Sequence, residues 1–210
     1  MEIYMEKISL LGKTIYPEKS PLLLKYSPSD NWRDYWMPMG GEWECRDGWL
    51  IGAERGNKGG ILFSRESFNE NVMLSFTAAT VLPATRDVNA VYCAHWDEKT
   101  DYLGESYVCG LNGWYDGKSG IERNNATGLY ATTSLYHYEP GSEVRITCGA
   151  IDGQNFLLAD GKLICELIDP NPIKGGHVGF SPYTTMLKIK DIEIREIYYE
   201  DIIQKYEPEF

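Results

Sequence analysis

The middle of the chain concentrates the side chains that could do chemistry. Aromatic rings can stack on the apolar face of a pyranose, while carboxylates, amides and guanidinium groups can make in-plane hydrogen bonds to its hydroxyls. These residue types together predict a carbohydrate-binding site. The residues expected to contact the ligand are Trp114, Tyr115, Arg123, Asn124, Tyr107, Trp96 and Asn112.

The same region holds candidates for acid–base chemistry. If Val88 to Trp96 and Glu105 to Leu111 form adjacent antiparallel strands, His95 and Glu105 lie near each other. A positioned carboxyl and imidazole typically contribute a rate factor of roughly 10² to 10⁴. We therefore expect Glu105 or Glu122 to act as acid or base, with His95 as partner, if the protein cleaves a glycoside.

Each of these residues also has a structural interpretation. Trp96 alternates with Tyr92 and Ala94 and could belong to a core. Arg123 could pair with a nearby glutamate, which would be worth little in itself. Two functions stay open at this point: an enzyme acting on a glycoside or oligosaccharide, and a non-catalytic sugar-binding or subunit-contact module.

The overall charge excludes some partners. The chain has 210 residues and a formal net charge of -11, which argues against a nucleic acid, whose binding depends on Lys and Arg contacts. An anionic membrane surface is disfavoured for the same reason. Neutral glycans are favoured over polyuronates, which an acidic protein repels.

The amino terminus predicts a location. Met1 to Thr14 mixes charged residues into a short apolar pattern and lacks the apolar core of a secretory signal. Since no run approaches the roughly 20 apolar residues of a membrane-spanning helix, we expect a cytoplasmic protein. The five cysteines are odd in number and show no CxxC spacing, so they are expected to be buried free thiols.

The sequence predicts neither a metal nor a cofactor. Three dispersed histidines show no HxH or HxxE spacing, which disfavours a transition-metal site. Oxygen ligands in loops leave a structural calcium ion as an open alternative. A homodimer built by edge-strand pairing is a further alternative.

Short β-branched and aromatic runs separated by Gly, Asn, Asp and Pro predict an all-β sandwich. We interpret residues 1–210 as one domain, with 1–41 as an N-terminal strand and aromatic loop and 199–210 as a C-terminal tail that could close as a helix. The expected strands beyond residue 40 are Trp43–Arg46, Trp49–Ala53, Gly60–Ser64, Val72–Val81, Val88–Trp96, Glu105–Leu111, Gly120–Arg123, Glu143–Ile151, Asn155–Ala159, Lys162–Ile168, His177–Ser181 and Leu187–Tyr198.

Local patterns support this reading. Asp47-Gly48, Asp152-Gly153 and Asp160-Gly161 each fall between two runs and favour tight hairpins. In Leu187–Tyr198 the apolar residues change parity partway along, which predicts a bulge or a bend.

The chain resembles a concanavalin A-like jelly roll of two antiparallel sheets. The resemblance rests on Trp43 through Ser64, on Phe156-Leu157-Leu158-Ala159-Asp160-Gly161-Lys162, and on the glycine-rich run Gly175-Gly176-His177-Val178-Gly179-Phe180-Ser181 followed by Ile189 to Ile194. It implies a glycoside or oligosaccharide held on the concave sheet.

Within that superfamily, the spacing of Gly113-Trp114-Tyr115 before Ile121-Glu122-Arg123-Asn124 is similar to the YesU-like family of bacterial proteins. That likeness implies a context of plant-polysaccharide breakdown more than a reaction. Laminarinase-type glycosidases of this fold carry an E-[IL]-D-x-x-E strand, and no such string occurs here. Because retaining and inverting glycosidases both need two carboxyls at a controlled separation, hydrolysis of that kind becomes a minority hypothesis. Some sandwich domains of this superfamily resemble enzymes of keto-glycoside cleavage, so the resemblance implies a lyase-like reaction as the other enzymatic alternative.

Overall fold

The structure is a computed structural model that describes residues 7–54, 59–126 and 128–202. In these ranges helix is confined to two 3-10 turns, Trp32–Asp34 and Tyr115–Gly117. The strands are β1 (Ile8–Leu10), β2 (Lys13–Ile15), β3 (Leu22–Tyr26), β4 (Trp36–Pro38), β5 (Glu42–Arg46), β6 (Trp49–Ala53), β7 (Leu62–Phe68), β8 (Val72–Thr80), β9 (Val88–Ala94), β10 (Trp96–Asp97), β11 (Tyr102–Leu103), β12 (Ser106–Trp114), β13 (Lys118–Asn124), β14 (Tyr130–Thr133), β15 (Val144–Ile151), β16 (Gln154–Ala159), β17 (Lys162–Ile168), β18 (Gly176–Phe180), β19 (Met186–Glu196) and β20 (Tyr199–Asp201).

Most strands belong to two antiparallel sheets. The seven-stranded sheet has the order β14-β13-β12-β9-β18-β7-β4, and the eight-stranded sheet has the order β17-β16-β15-β8-β19-β6-β5 with β3 beside β19. A three-stranded sheet, β1-β2-β20, and the β10–β11 hairpin complete the fold. The prediction of an all-β sandwich is confirmed. No helix in the described residues is long and apolar enough to cross a membrane.

The main core fills the space between the two large sheets. Leu74, Phe76 and Ile146 face it from the eight-stranded sheet, and Tyr92 and Tyr107 face it from the seven-stranded one. These side chains recur at every second residue, as the pleat of a strand requires. The burial of alternate residues therefore fixes which face each strand turns outward.

The eight-stranded sheet carries a second apolar cluster on its outer face. Phe156 and Leu158 pack there against Ile8 and Leu10 of the small β1-β2-β20 sheet. Leu157, between them, faces the main core. This is why all of β16 is buried although a half-exposed strand would alternate with polar residues.

The seven-stranded sheet carries a third cluster on its outer face. Phe63, Val91 and Val108 are covered there by Leu103 of the β10–β11 hairpin, with Trp96 packed against the group. This hairpin is the element that divides the outer face, as described below.

The three predicted Asp-Gly hairpins are confirmed. Asp47, Asp152 and Asp160 have φ of 53°, 48° and 48°, and the glycine after each is also at positive φ. Positive φ at both central residues defines the type I′ turn, whose twist matches that of paired strands. The turns join β5 to β6, β15 to β16 and β16 to β17.

The predicted irregularity in the last long strand is also confirmed. The register of β19 against β8 shifts between Lys190 and Glu193, and Asp191 has φ of 53°. The extra residue lets Leu187 and Ile189 face the core before the bulge and Ile192 and Ile194 face it afterwards.

Several boundaries differ from the prediction: β7 extends to Phe68 and β12 to Trp114, beyond the expected ends at Ser64 and Leu111. The run Val88 to Trp96 is not one strand, because Cys93 adopts φ of 48° and β9 ends at Ala94. Residues 199–201 form β20 and pair with β2 rather than starting a helix. Residues 203–210 of the expected tail lie outside the described residues.

Several short strands of the structure were not predicted from the sequence. Residues 7–41, expected to hold one strand and an aromatic loop, contain β1, β2, β3 and β4, with the Trp32–Asp34 turn inside the loop. The four-residue β14 was also missed. Strands of three to five residues are too short to show a period-two pattern.

The five cysteines are free thiols, as expected. Cys93, Cys109, Cys148 and Cys165 are buried, and Cys45 is half-buried. Burial raises the pKa of Cys93 to about 12, so its thiol stays protonated and unreactive at neutral pH.

The side chain of Trp43 on β5 packs over Gly52 of β6, and a substitution at this pair can test that contact. Trp43 pairs with Gly52, and a β-carbon at position 52 would overlap the indole ring. We expect Gly52→Ala to lower the free energy of unfolding by about 1–3 kcal/mol, because the ring must leave its place. Urea denaturation measures the change.

The control is the same substitution in a Trp43→Ala background, where the ring is gone. There Gly52→Ala should cost little. Equal losses in both backgrounds would contradict the steric explanation.

Candidate functional site

A groove of about 870 Å³ opens on the outer face of the seven-stranded sheet. Asn89 of β9, Val108 of β12, and Glu122 and Asn124 of β13 line it from the sheet. Val108 pairs with Glu122 and with Val91, which places these side chains on one face. The remaining lining residues are 85–87, 102, 103, 112–117, 137, 138, 140, 181 and 183.

Trp114 is the largest ring in the groove. The register of β12 against β13 breaks between Gly110 and Trp114, and Asn112 has φ of 53°. This irregularity lays the ring over Gly120, where a β-carbon would lie 3.3 Å from Trp114 Cδ2. Because Gly120 has no side chain, the indole can lie close to the sheet.

A hydrogen bond also fixes the orientation of this ring. Trp114 Nε1 donates to Glu122 Oε2 at 2.9 Å, and the indole keeps part of its surface exposed. Tyr115 follows in the 3-10 turn with 90% of its surface exposed. The groove therefore presents the Trp114 ring, which a hydrogen bond orients, beside the exposed ring of the next residue, Tyr115.

A buried carboxylate lines the groove at the start of β9. Arg86 Nε donates to Asp87 Oδ2 at 2.5 Å, and Asn89 Nδ2 donates to Asp87 Oδ1 at 3.2 Å. Burial nevertheless raises the pKa of Asp87 to about 6, because desolvation of the carboxylate outweighs both favourable contacts. Asp87 therefore changes its protonation state near pH 6.

Asp87 and Asn89 were not among the predicted site residues. A signal was present, since two polar residues stand at alternate positions where an apolar strand begins. Residues two apart on a strand share a face, so the pair marks a polar patch on an otherwise apolar sheet. Tyr102 and Tyr183 were also missed, and the groove includes both.

The structure brings five of the predicted residues together in the groove. Trp114 and Tyr115 are described above, and Asn112, Glu122 and Asn124 line the same space. Asn124 Nδ2 donates to the carbonyl oxygens of Leu103 and Gly104 at 3.0 and 2.7 Å. Its amide thus ties β13 to the β10–β11 hairpin.

Three other predicted residues belong to an ionic network outside the groove. The Tyr107 hydroxyl and Arg123 Nη1 each donate to Asp169 Oδ2 at 2.7 Å, and Arg123 Nη2 pairs with Glu105. Tyr107 is fully buried. Tyr107 pairs with Arg123 in the register, one residue from the Val108–Glu122 pair, so the pleat turns them to the opposite face.

His95 and Trp96 also lie outside the groove. The antiparallel pairing of β9 with β12 is confirmed, and the backbone N–H of His95 donates to the backbone carbonyl oxygen of Glu105 at 2.9 Å. The imidazole Nε2, however, lies 3.0 Å from the Gly175 carbonyl oxygen. Trp96 packs edge-on against Phe63, with ring centroids 6.4 Å apart, so it serves the outer cluster.

The groove is acidic in its described part. Asp87, Asp116 and Glu122 line it, while the guanidinium of Arg86 is already paired with Asp87. His137 is the remaining side chain there that can carry a positive charge. Within the described ranges no three His, Cys, Asp or Glu side chains are grouped to hold a metal ion.

Comparison with protein-family models and with curated proteins gives no match for this sequence. Solved structures do match. The carbohydrate-binding module CBM66 of Bacillus subtilis superimposes with a TM-score of 0.60 at 12% identity, over 76% of this chain and 94% of that chain. A Bacillus subtilis protein of unknown function with a galectin-like fold gives 0.59 at 14% identity, over 85% and 98%.

An enzyme shares the same architecture. The β-glucanase of Bacillus licheniformis superimposes with a TM-score of 0.54 at 10% identity, over 81% of this chain and 97% of that chain. At such identities the likeness shows the fold alone. The chain thus has the concanavalin A-like jelly-roll fold.

The ionic network gives a prediction that separates structural from ligand-binding roles. The Asp169 side chain is 1% exposed, so Arg123→Met leaves a buried charge without its partner. We expect a loss of about 3 kcal/mol or more in the free energy of unfolding. Glu105, which is 52% exposed, should lose less than about 1 kcal/mol as Glu105→Gln.

Denaturant titration of both variants measures these losses. Neither substitution should alter a ligand affinity measured on folded protein, because neither side chain lines the groove. A large loss of affinity in Glu105→Gln at unchanged stability would return this carboxyl to the site.

Asp87 gives a prediction about pH. Its pKa is higher in the folded chain than the ordinary 3.8, so the folded state holds the proton more tightly than the unfolded state. The stabilisation from this group is present at low pH and is lost as the pH rises through about 6. The loss between pH 4 and 7 should be on the order of 2–3 kcal/mol.

Asp87→Asn should remove that part of the pH dependence when stability is measured by urea denaturation across this range. Asp116→Asn, an exposed carboxylate of the same groove, is the matched control and should keep the wild-type slope. Identical slopes in wild type and Asp87→Asn would show that Asp87 titrates normally.

Proposed function

We propose that the protein binds a neutral carbohydrate in the groove on its seven-stranded sheet. The observation that carries the proposal is the Trp114 ring, held over Gly120 and by Glu122 with surface left open to a ligand. A rigid indole can stack on a pyranose without losing side-chain entropy. Tyr115, which is 90% exposed at the same groove, can contact the same ligand.

The polar lining supports a neutral sugar. Glu122 and Asp116 supply acceptors for sugar hydroxyls, and Asn112 supplies an amide. Three carboxylates with one paired arginine would repel a uronate. The groove thus agrees with the net charge of -11 in favouring uncharged ligands.

The names of two structures with the same fold support the same class of ligand. Two of the superimposed structures are called a carbohydrate-binding module and a glucanase, and this chain shares their fold. The Gly113-Trp114-Tyr115 and Glu122-Arg123-Asn124 segments support the finer proposal of a YesU-like protein of plant-polysaccharide breakdown. A cytoplasmic location and a homodimer stay predictions.

Binding is tested with neutral oligosaccharides of the cello-, laminari-, xylo- and manno- series, beside an oligogalacturonate. Isothermal titration calorimetry should detect one or more neutral series and no binding of the uronate. Trp114→Ala should weaken the affinity at least tenfold, which is about 1.4 kcal/mol, because the stacking surface is lost.

Trp49→Ala is the matched control. This half-exposed indole lies on the other sheet, with Lys188 Nζ and Lys190 Nζ 4.4 and 4.1 Å from its ring centre. Its removal should leave the affinity unchanged. Equal losses in the two variants, or no binding in any series, would contradict the proposal.

Cleavage of the bound sugar is a second candidate function, and one observation favours it. Asp87, with its raised pKa of about 6, lines the same groove as Glu122. A carboxyl that keeps its proton up to about pH 6 can supply the acid of a pair whose second carboxyl group lines the same groove. Of the three predicted catalytic residues, Glu122 stays in this proposal, and Asp87 takes the place of Glu105 and His95.

Mass spectrometry of the same oligosaccharides after incubation tests this candidate. A product that disappears in Glu122→Gln and in Asp87→Asn, while Glu105→Gln still forms it, would establish cleavage by this pair. Glutamine at 122 keeps an acceptor for Trp114 Nε1, so binding should persist in that variant. Binding without product would leave a non-catalytic module.

A further inference from the structure

The outer face of the seven-stranded sheet is open over only part of its width. The groove is lined from β9, β12 and β13, and no described residue of β7 or β4 lines it. Those two strands are the last in the sheet order, beyond β18. The open and covered parts therefore lie side by side on one face.

The cover is the segment between β9 and β12, which includes the β10–β11 hairpin. Leu103, which is 5% exposed, packs with Phe63 of β7 and with Val91. Trp96 meets the edge of the Phe63 ring, and His177 stacks on the same ring at 5.3 Å with the planes 7° apart. The cover therefore lies over Phe63 of β7 and Val91 of β9.

Several hydrogen bonds fix the cover in place. Asn124 Nδ2 holds the carbonyls of Leu103 and Gly104 from the side of the groove. The Gly104 N–H donates to the His95 carbonyl at 2.8 Å, and the Asp97 carboxylate accepts from the Lys99 N–H and the Thr100 hydroxyl, both at 2.9 Å. The Asn124 bonds tie the cover to β13, and the other three bonds brace the segment internally.

The same segment forms one wall of the groove. Tyr102 and Leu103 line it, and Ser181 and Tyr183, which follow β18, line it as well. His137 and Tyr138, which follow β14 at the other edge of the sheet, also belong to the lining. A carbohydrate chain that crossed every strand of the sheet would have to pass through the volume that Leu103 and Trp96 occupy.

We propose that the groove takes the end of a carbohydrate chain, or a short glycoside of one to three units, and excludes the interior of a polysaccharide. This inference rests on the proposed function. The volume of about 870 Å³ agrees with it, since sites that enclose one small ligand measure roughly 300–1,000 Å³.

The test is the dependence of affinity on chain length. Calorimetry is run with the disaccharide to hexasaccharide members of the cello-, laminari-, xylo- and manno- series. The affinity in any series that binds should reach its final value by the trisaccharide. The parent polysaccharide should bind one protein molecule per chain end, however long the chain is.

A tenfold or larger rise in affinity from trisaccharide to hexasaccharide, or many binding sites along each polysaccharide, would overturn the inference while leaving the proposed function intact. Absence of binding in every series would overturn the proposed function itself, and this inference with it. The two failures are therefore distinguishable.

A variant tests the wall directly. Tyr102→Ala lowers the wall at the side of the cover, so the hexasaccharide should gain several-fold in affinity over the trisaccharide. Tyr130→Ala is the matched control, because Tyr130 is 61% exposed on β14 and does not line the groove. A plateau at the trisaccharide in wild type and Tyr130→Ala, lost in Tyr102→Ala, is the expected result.

Discussion

The pleat of β12 and β13 sends neighbouring side chains to opposite faces of one sheet, and the arrangement of the site depends on it. Tyr107 and Arg123 turn toward the buried Asp169, while the next pair, Val108 and Glu122, turns outward. The inward pair carries a charge that has to stay satisfied, since an unpaired buried carboxylate is costly. The register that turns Tyr107 and Arg123 toward Asp169 also sends Glu122 outward, where its carboxylate accepts the hydrogen bond of the Trp114 indole.

The outer face of this sheet has to be either covered or functional. Seven strands whose inner residues form the core also carry apolar residues outward, and large exposed apolar patches are unfavourable. The β10–β11 hairpin covers Phe63, Val91 and Val108. Where that cover stops, polar residues and the Trp114 ring replace the apolar side chains, so the edge of the cover is also the wall of the site.

The sequence predicts which segments form strands better than it predicts which face of the sheet each side chain occupies. The Asp-Gly turns and the long alternating runs mark most strands of the two large sheets, because both signals are local. The face of a residue depends on register and bulges, which are not local. Trp114 reaches the groove only through the irregularity at Asn112, and Glu122 and Arg123, adjacent in sequence, serve different faces. For Glu122 and Arg123 the alternation of side chains along a strand does predict opposite faces.

Glycines decide how close the site lies to the sheet. Gly110 pairs with Gly120 across β12 and β13, which leaves a strip without side chains beneath the Trp114 ring. A β-carbon at Gly113 would lie 3.0 Å from the side-chain oxygens of both Asn89 and Asp87. Strand glycines ordinarily weaken a sheet and mark a close approach of another group. Here they allow an aromatic ring and a buried carboxylate to line one groove, in which the proposed sugar would lie against the ring.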